Sequence, residues 1–248
     1  MSKQNRKKAR YVLENEEFER QQLQDYNVKT NIKLTDSQNL LYQKIKDNSI
    51  IIAHGPSGSS KTFTSCYTAV DLFQNKASKI EQIVLVKPIE ESGEELGFLP
   101  GGIDEKTGPY MQSFLDNLKK IVPAHTLSAM SSKKNIVFEQ LAYMRGRTFD
   151  NAVMILDEAQ NADFRQLMLF ITRMGRNSKV IITGDVSQYD IKHDSVGLLH
   201  FIKMIEDIQG VATHQFEKSD IVRNKILIEI TDRYDKMKAE NKVPKTKR

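Results

Sequence analysis

The stretch SIIIAHGPSGSSKT, residues 49–62, joins a short apolar run to a turn of glycine and serine and then to a helical pattern. Strand, small-residue loop and helix in that order are the context of the phosphate-binding motif G-x-x-x-x-G-K-[ST]. Here it reads Gly55-Pro56-Ser57-Gly58-Ser59-Ser60-Lys61-Thr62. Small residues let backbone N–H groups converge on phosphate oxygens, and a helix start adds partial positive charge at the same point. Lys61 is the candidate to neutralise β- and γ-phosphates, and Thr62 the candidate ligand of Mg²⁺. Phe63 follows and completes the candidate nucleotide-binding set. Ser60 departs from the motif, whose last loop position is glycine; a Cβ there constrains a backbone that glycine allows to reach positive φ.

The same texture repeats outward from this loop. Runs rich in Val and Ile at 49–54, 82–86, 135–139, 152–156, 179–183 and 211–216 are apolar at consecutive positions, as expected of strands covered on both faces. Helical patterns at 35–47, 61–75, 108–121, 162–175, 195–208 and 219–238 alternate with them. Alternation of this kind predicts an α/β fold, a doubly wound and mostly parallel sheet. For the last helix, Ser219 is the predicted N-cap, and Val222, Ile226, Ile230 and Tyr234 recur on one face. Residues 88–107, with four glycines and two prolines, interrupt the rhythm as a long irregular insertion. The predicted organisation is an arm over 1–30, one folded domain over 31–238 and a tail over 239–248.

Two more strand ends carry chemistry. The run AVMIL at 152–156 ends in Asp157 and Glu158. In a parallel sheet, ligands gather beyond the carboxyl ends of the strands. Asp157 is therefore expected beside the loop of Lys61 as a second metal-site residue, and Glu158 as the base that activates a water. The strand 179–183 runs into Gly184-Asp185-Val186-Ser187-Gln188, where the Gln188 amide is a candidate to sense a γ-phosphate.

Composition sets outer limits. The chain has 248 residues, 39% hydrophobic and 28% charged, enough to bury a core and too apolar for a wholly disordered chain. No apolar run is long enough to span a bilayer, and no secretory h-region follows the basic start, so no membrane association and a cytoplasmic location are expected. Cys66 stands alone, which excludes an internal disulfide framework or a cysteine-based zinc site. Residues 1–10 and 236–248 each contribute +5, so a chain of net +5 is −5 between them. The basic ends suit phosphate backbones; equally, they suit solvated termini.

GPSGSSKT (55–62), ILDEAQN (155–161) and ITGDVSQYD (182–190) together resemble the PhoH-type ATPases. VKPIEESGEELGFLPG (86–101), LAYMRGRTF (141–149) and FEKSDIVRN (216–224) extend the resemblance over about 32–235. It implies a single RecA-like domain similar to the first motor domain of superfamily 1 helicases, binding ATP and Mg²⁺. The family is associated with phosphate starvation in bacteria and is widespread in bacteriophage, whose small members this chain resembles. The resemblance assigns adenine reading to Gln38 in TDSQNLLY (35–42), the DEAQ box to Asp157, Glu158 and Gln160, and the γ-phosphate sensor to Gln188. It assigns to Arg223 the completion of a neighbour's site, and Asn224 stands where the family often has histidine. The arm before residue 30 is too short for the PIN nuclease domain that other members carry.

One RecA-like domain has no second domain to close on it. The expected partner is therefore another copy of the chain in a ring-like homo-oligomer such as a hexamer, with Arg223, or else Arg173 or Arg176, acting in trans. The leading expectation is an ATPase working on RNA or single-stranded DNA in a helicase-like manner. An ATP-dependent switch acting on a protein partner is the alternative. A small-molecule phosphotransferase is disfavoured, because it needs no water-activating Glu158.

Overall fold

The computed structural model describes residues 32–88, 108–186, 196–222 and 226–240. Six strands form one sheet: β1 Ile50–His54, β2 Gln82–Lys87, β3 Ile136–Gln140, β4 Ala152–Leu156, β5 Lys179–Gly184 and β6 Val211–Gln215. Their spatial order is β3-β2-β4-β5-β1-β6, and every pairing is parallel. The helices are α1 Asp36–Asp47, α2 Lys61–Gln74, α3 Gly108–Ile121, α4 Ala124–Ser132, α5 Phe164–Ile171, α6 Val196–Ile205 and α7 Ile226–Ala239.

Strand alternation builds two cores. Ile51, Ala53, Ile83, Leu85, Val153, Ile155 and Ile181 face α1 to α4, meeting Leu41, Cys66, Phe114 and Leu118. Ile52, Val84, Val86, Met154, Leu156, Val180 and Ile182 face α5 and α6, meeting Leu167, Phe170, Leu198 and Phe201. Because both faces are covered, the strands carry unbroken apolar runs.

Right-handed crossovers dictate the winding. The chain moves from β1 to β2 and β3 with helices on the first face, then returns through β4 and β5 to β6 with helices on the second. Neighbouring strands β1 and β5 send their helices to opposite faces, opening a crevice beyond their carboxyl ends. The phosphate loop lies there, and Gly55 N–H donates to Gly184 C=O at 3.2 Å.

Strand positions agree with the sequence expectation to within one residue at each end. Helices diverge more. The segment expected at 162–175 is helical only from Phe164 to Ile171, beginning at a capping box of Asp163 and Gln166. Ala124–Ser132, without a strong apolar stripe, forms an extra helix. Ser219 is no N-cap: it lies within a 3₁₀ turn, Lys218–Asp220, and Ile221 and Val222 after it are not helical. The apolar row of Val222, Ile226, Ile230 and Tyr234 is exposed rather than buried. The arm 1–30, most of the 88–107 insertion, and the tail from 241 lie outside the described residues.

β6 is held at the sheet edge by a polar cluster. The Ser37 hydroxyl donates to Asp220 Oδ2 at 3.1 Å and sits 3.1 Å from His214 Nε2. His214 is buried, with its ring edge-on to Phe216 at 4.6 Å. Burial, with Lys44 adding to it and Asp220 opposing, lowers its pKa from 6.5 to about 4. A depressed histidine leaves stability unaffected above the unfolded pKa. Below it, the unfolded chain takes up a proton that the fold refuses. Stability is therefore expected to fall by about 1–3 kcal/mol between pH 6.5 and 4 through this residue. Denaturant titrations across that range should show the loss, and His214→Gln should flatten it; an unchanged slope in the variant removes His214 from the account.

Candidate functional site

The loop between β1 and α2 depends on backbone conformations that its residues make possible. Gly55 has φ +139, and a Cβ there would lie 2.4 Å from the Phe216 carbonyl oxygen, so only glycine fits between β1 and the chain leaving β6. Gly58 is at φ 88. Ser60 takes φ 66, ψ 28, the left-handed region the motif reserves for glycine, at a cost of roughly 1–2 kcal/mol. Its side chain makes no capping hydrogen bond to the first turn of α2. Ser59 is fully buried, donating to Pro56 C=O at 2.9 Å. Lys61 Nζ folds over the loop, donating to Gly55 C=O at 2.6 Å and Pro56 C=O at 2.8 Å.

Opposite the loop, the Asp157 carboxylate is buried at the end of β4. Its Oδ1 accepts from Thr62 Oγ1 at 2.8 Å and Thr183 Oγ1 at 2.6 Å, and its Oδ2 lies 3.9 Å from Lys87 Nζ. Lys87 is itself nearly buried, 5.7 Å from the Phe114 ring. β5 separates the strands of the loop and of the carboxylate, and its Thr183 closes that gap. A hydroxyl and a carboxylate side by side form an all-oxygen donor set that suits Mg²⁺.

Glu158 is exposed, with φ 56. Its Oε2 accepts from Gln160 Nε2 at 2.7 Å, and Gln160 Oε1 accepts from Asp185 N–H at 2.9 Å. Gln160 thus ties Glu158 to the end of β5. Loop and carboxylates share a cleft of about 730 Å³, lined also by Phe63, Ser113, Asn117, Lys120, Gly184 and Val222.

Ser57, Gly58, Ser60, Lys61, Thr62, Phe63, Asp157 and Glu158 are therefore brought together. Gln38 is not part of the cleft lining: it is buried at the start of α1, its Oε1 accepting from Thr35 N–H at 2.9 Å in a capping box. Gln188 and Arg223 lie outside the described residues, although Val222 N–H, one residue earlier, donates to Gly58 C=O at 3.3 Å. Arg173 and Arg176 precede the amino end of β5, away from the cleft. Sequence reasoning missed Lys87, Thr183 and the α3 residues Ser113, Asn117 and Lys120. Lys87 had a legible signal, a basic residue closing an apolar strand. The α3 residues recur at i, i+4 and i+7, one row on the polar side of an amphipathic helix.

The profile of the family described as PhoH-like protein matches residues 31–235. The chain belongs to the PhoH family. It is 40% identical over 193 residues to a PhoH-like protein of Bacillus subtilis, covering 77% of this chain and 60% of that one. It is 36% identical over 183 residues to Protein PhoH of Escherichia coli, covering 73% and 51%. This PhoH-family chain thus spans about half to three fifths of the length of those curated relatives. Its fold is similar to that of the large terminase from a thermophilic bacteriophage, with a TM-score of 0.52 at 12% identity, covering 83% of this chain and 50% of the terminase. The domain thus has a RecA-like α/β fold.

Two outcomes follow from the geometry. Ser60→Gly relieves the left-handed serine, partly offset by the greater freedom of unfolded glycine, and is expected to stabilise the protein by about 0.5–1 kcal/mol in denaturant titration. Lys87→Met keeps the stem but withdraws the cation facing buried Asp157, and should cost about 1–3 kcal/mol at pH 7. A Lys87→Met melting curve superimposed on the parent's would show that the pair contributes nothing.

Proposed function

We propose that this PhoH-family chain hydrolyses ATP with Mg²⁺ and couples the reaction to RNA or single-stranded DNA, working as an oligomer. The observation that carries the hydrolytic part is the Thr62–Asp157 hydrogen bond, at 2.8 Å, in the same cleft as Lys61 and Glu158. Phosphates would accept from the loop amides and the first turn of α2, with Lys61 leaving its loop carbonyls to meet the β- and γ-oxygens. Mg²⁺ held at Thr62 and Asp157 would supply charge neutralisation for the phosphates. Glu158 would take a proton from the water whose oxygen attacks the γ-phosphorus, while the bond from that phosphorus to the bridging oxygen of ADP breaks. Gln160 orients the Glu158 carboxylate for this role. The nucleic-acid and oligomer parts extend the reading from the family resemblance and from the need of a single RecA-like domain for a partner across its cleft.

Steady-state hydrolysis tests the proposal, with and without single-stranded RNA or DNA. Lys61→Ala is expected to lower kcat/KM about 10²-fold or more, and Glu158→Gln to lower kcat by roughly 10²- to 10⁴-fold while ATP still binds. Turnover indifferent to both substitutions would overturn the site. Turnover that needs both residues yet ignores nucleic acid would favour a switch acting on a protein partner.

A further inference from the structure

We propose that the turn following β3, with Tyr143 at its crest and Arg145, Arg147 and Arg173 around it, is the surface on which single-stranded nucleic acid lies. Bases stack on the tyrosine ring and phosphates meet the guanidinium groups. This inference rests on the nucleic-acid part of the proposed function and assigns it a place.

The 3₁₀ turn Leu141–Met144 leaves the carboxyl end of β3 directly. Leu141 and Met144 are buried at 1% and 0% exposure, pinning both ends in the core under α5, whereas Tyr143 between them is 69% exposed. It is the most exposed large apolar side chain among the described residues. A fixed turn therefore holds an aromatic ring out in water, where packing gives it no return.

The cations around it are of one kind. Between residues 32 and 222 the chain has five arginines, all within 145–176, and every other basic side chain there except histidine is lysine. Arg173 Nη1 donates to Arg147 C=O at 3.2 Å, and Phe149 N–H donates to Arg173 C=O at 2.9 Å, so the segment after the turn and the end of α5 form one surface. Arg147 stacks over the Phe149 ring at 4.7 Å and pairs with Glu139. Arg145 is exposed. Arg173 Nε is buried with no hydrogen-bond partner. Among the described residues Arg147 alone of these three pairs with a carboxylate, that of Glu139, and Arg173 Nη2 donates to Thr172 Oγ1 at 3.2 Å. Planar guanidinium matches phosphate oxygens and base faces, which ammonium does not. An upright aromatic among such groups is the arrangement that binds single strands with tolerance of sequence. An acidic polypeptide would use the charges but leave the ring without a partner.

The surface also lies close to the cleft. Lys87, which faces Asp157, is the register partner of Gln140, and Tyr143 follows three residues later. The ends of β3 and β4 are separated only by β2, roughly 10 Å in all.

Fluorescence anisotropy of labelled oligo(U) and oligo(dT) of about 20 nucleotides tests the assignment. Tyr143→Ala is expected to weaken binding about 5- to 100-fold, and Tyr143→Phe, which keeps the ring, to stay within about twofold. Arg145→Ala should weaken binding and reduce the slope of log affinity against log salt by about 0.7. Both surface residues are exposed, and unchanged melting curves confirm that the variants fold. Parent-level binding by Tyr143→Ala would place the strand elsewhere and overturn this surface while leaving the nucleic-acid reading intact. A parent protein that binds neither oligomer would overturn both. Polyglutamate competing as well as oligo(U) would assign the surface to acidic polypeptides and overturn it too.

Discussion

The buried carboxylate of Asp157 is the constraint on which the cleft depends. Moving such a charge out of water costs several kcal/mol unless its oxygens are satisfied, and the chain meets that demand with residues from three other elements. Thr62 comes from the first turn of α2, Thr183 from β5 and Lys87 from the end of β2. Each partner can arrive only if the strand order is β2-β4-β5-β1 and the strands are parallel. The sheet's winding and the chemistry of the cleft are thus one solution. A different register at β4 would leave the carboxylate unpaired among apolar side chains.

Most of this arrangement is legible in the sequence, for a physical reason. Strands covered on both faces must be apolar at every position, so IIIA, IVLV, AVMIL and VIIT stand out without knowledge of their neighbours. Glycines and serines before Lys61 stand out because backbone convergence forbids large side chains. The residues that were missed act through contacts between distant segments. Thr183 is one more β-branched residue in a strand until β5 is known to lie between β4 and β1. Ser113, Asn117 and Lys120 read as the polar side of an amphipathic helix, which they are, and that side is a wall of the cleft. Gln38 shows the converse limit. Its place three residues after Thr35 also specifies a capping box, and its oxygen is engaged there.

Helices diverge from their periodicity more than strands do. α5 is shorter than its apolar pattern because the capping box at Asp163 and Gln166 sets its start and the turn at Thr172 ends it. Ser219 lies in a 3₁₀ turn and does not open the last helix, since Asp220 is used instead to accept from Ser37 and from Glu217 N–H. That choice holds the chain after β6 against the phosphate loop, where Val222 meets Gly58. A local helix signal gave way to long-range contacts that shape the cleft wall.

Two residues in the cleft adopt left-handed conformations without being glycine, Ser60 at φ 66 and Glu158 at φ 56. Each costs roughly 1–3 kcal/mol, a strain that persists only where surrounding contacts over-determine it. For Ser60 those contacts are the loop's closure and the start of α2. For Glu158 they are the strand end that fixes Asp157 and the Gln160 amide that holds the carboxylate. The strain has a geometric consequence in each case. A left-handed Ser60 keeps the first amides of α2 directed into the loop. A left-handed turn immediately after Asp157 sends the next side chain into the cleft instead of across the sheet. Adjacent carboxylates in an extended strand would point to opposite faces. The backbone reversal at Glu158 lets both Asp157 and Glu158 line the same cleft, which one metal-holding and one proton-accepting carboxylate would require.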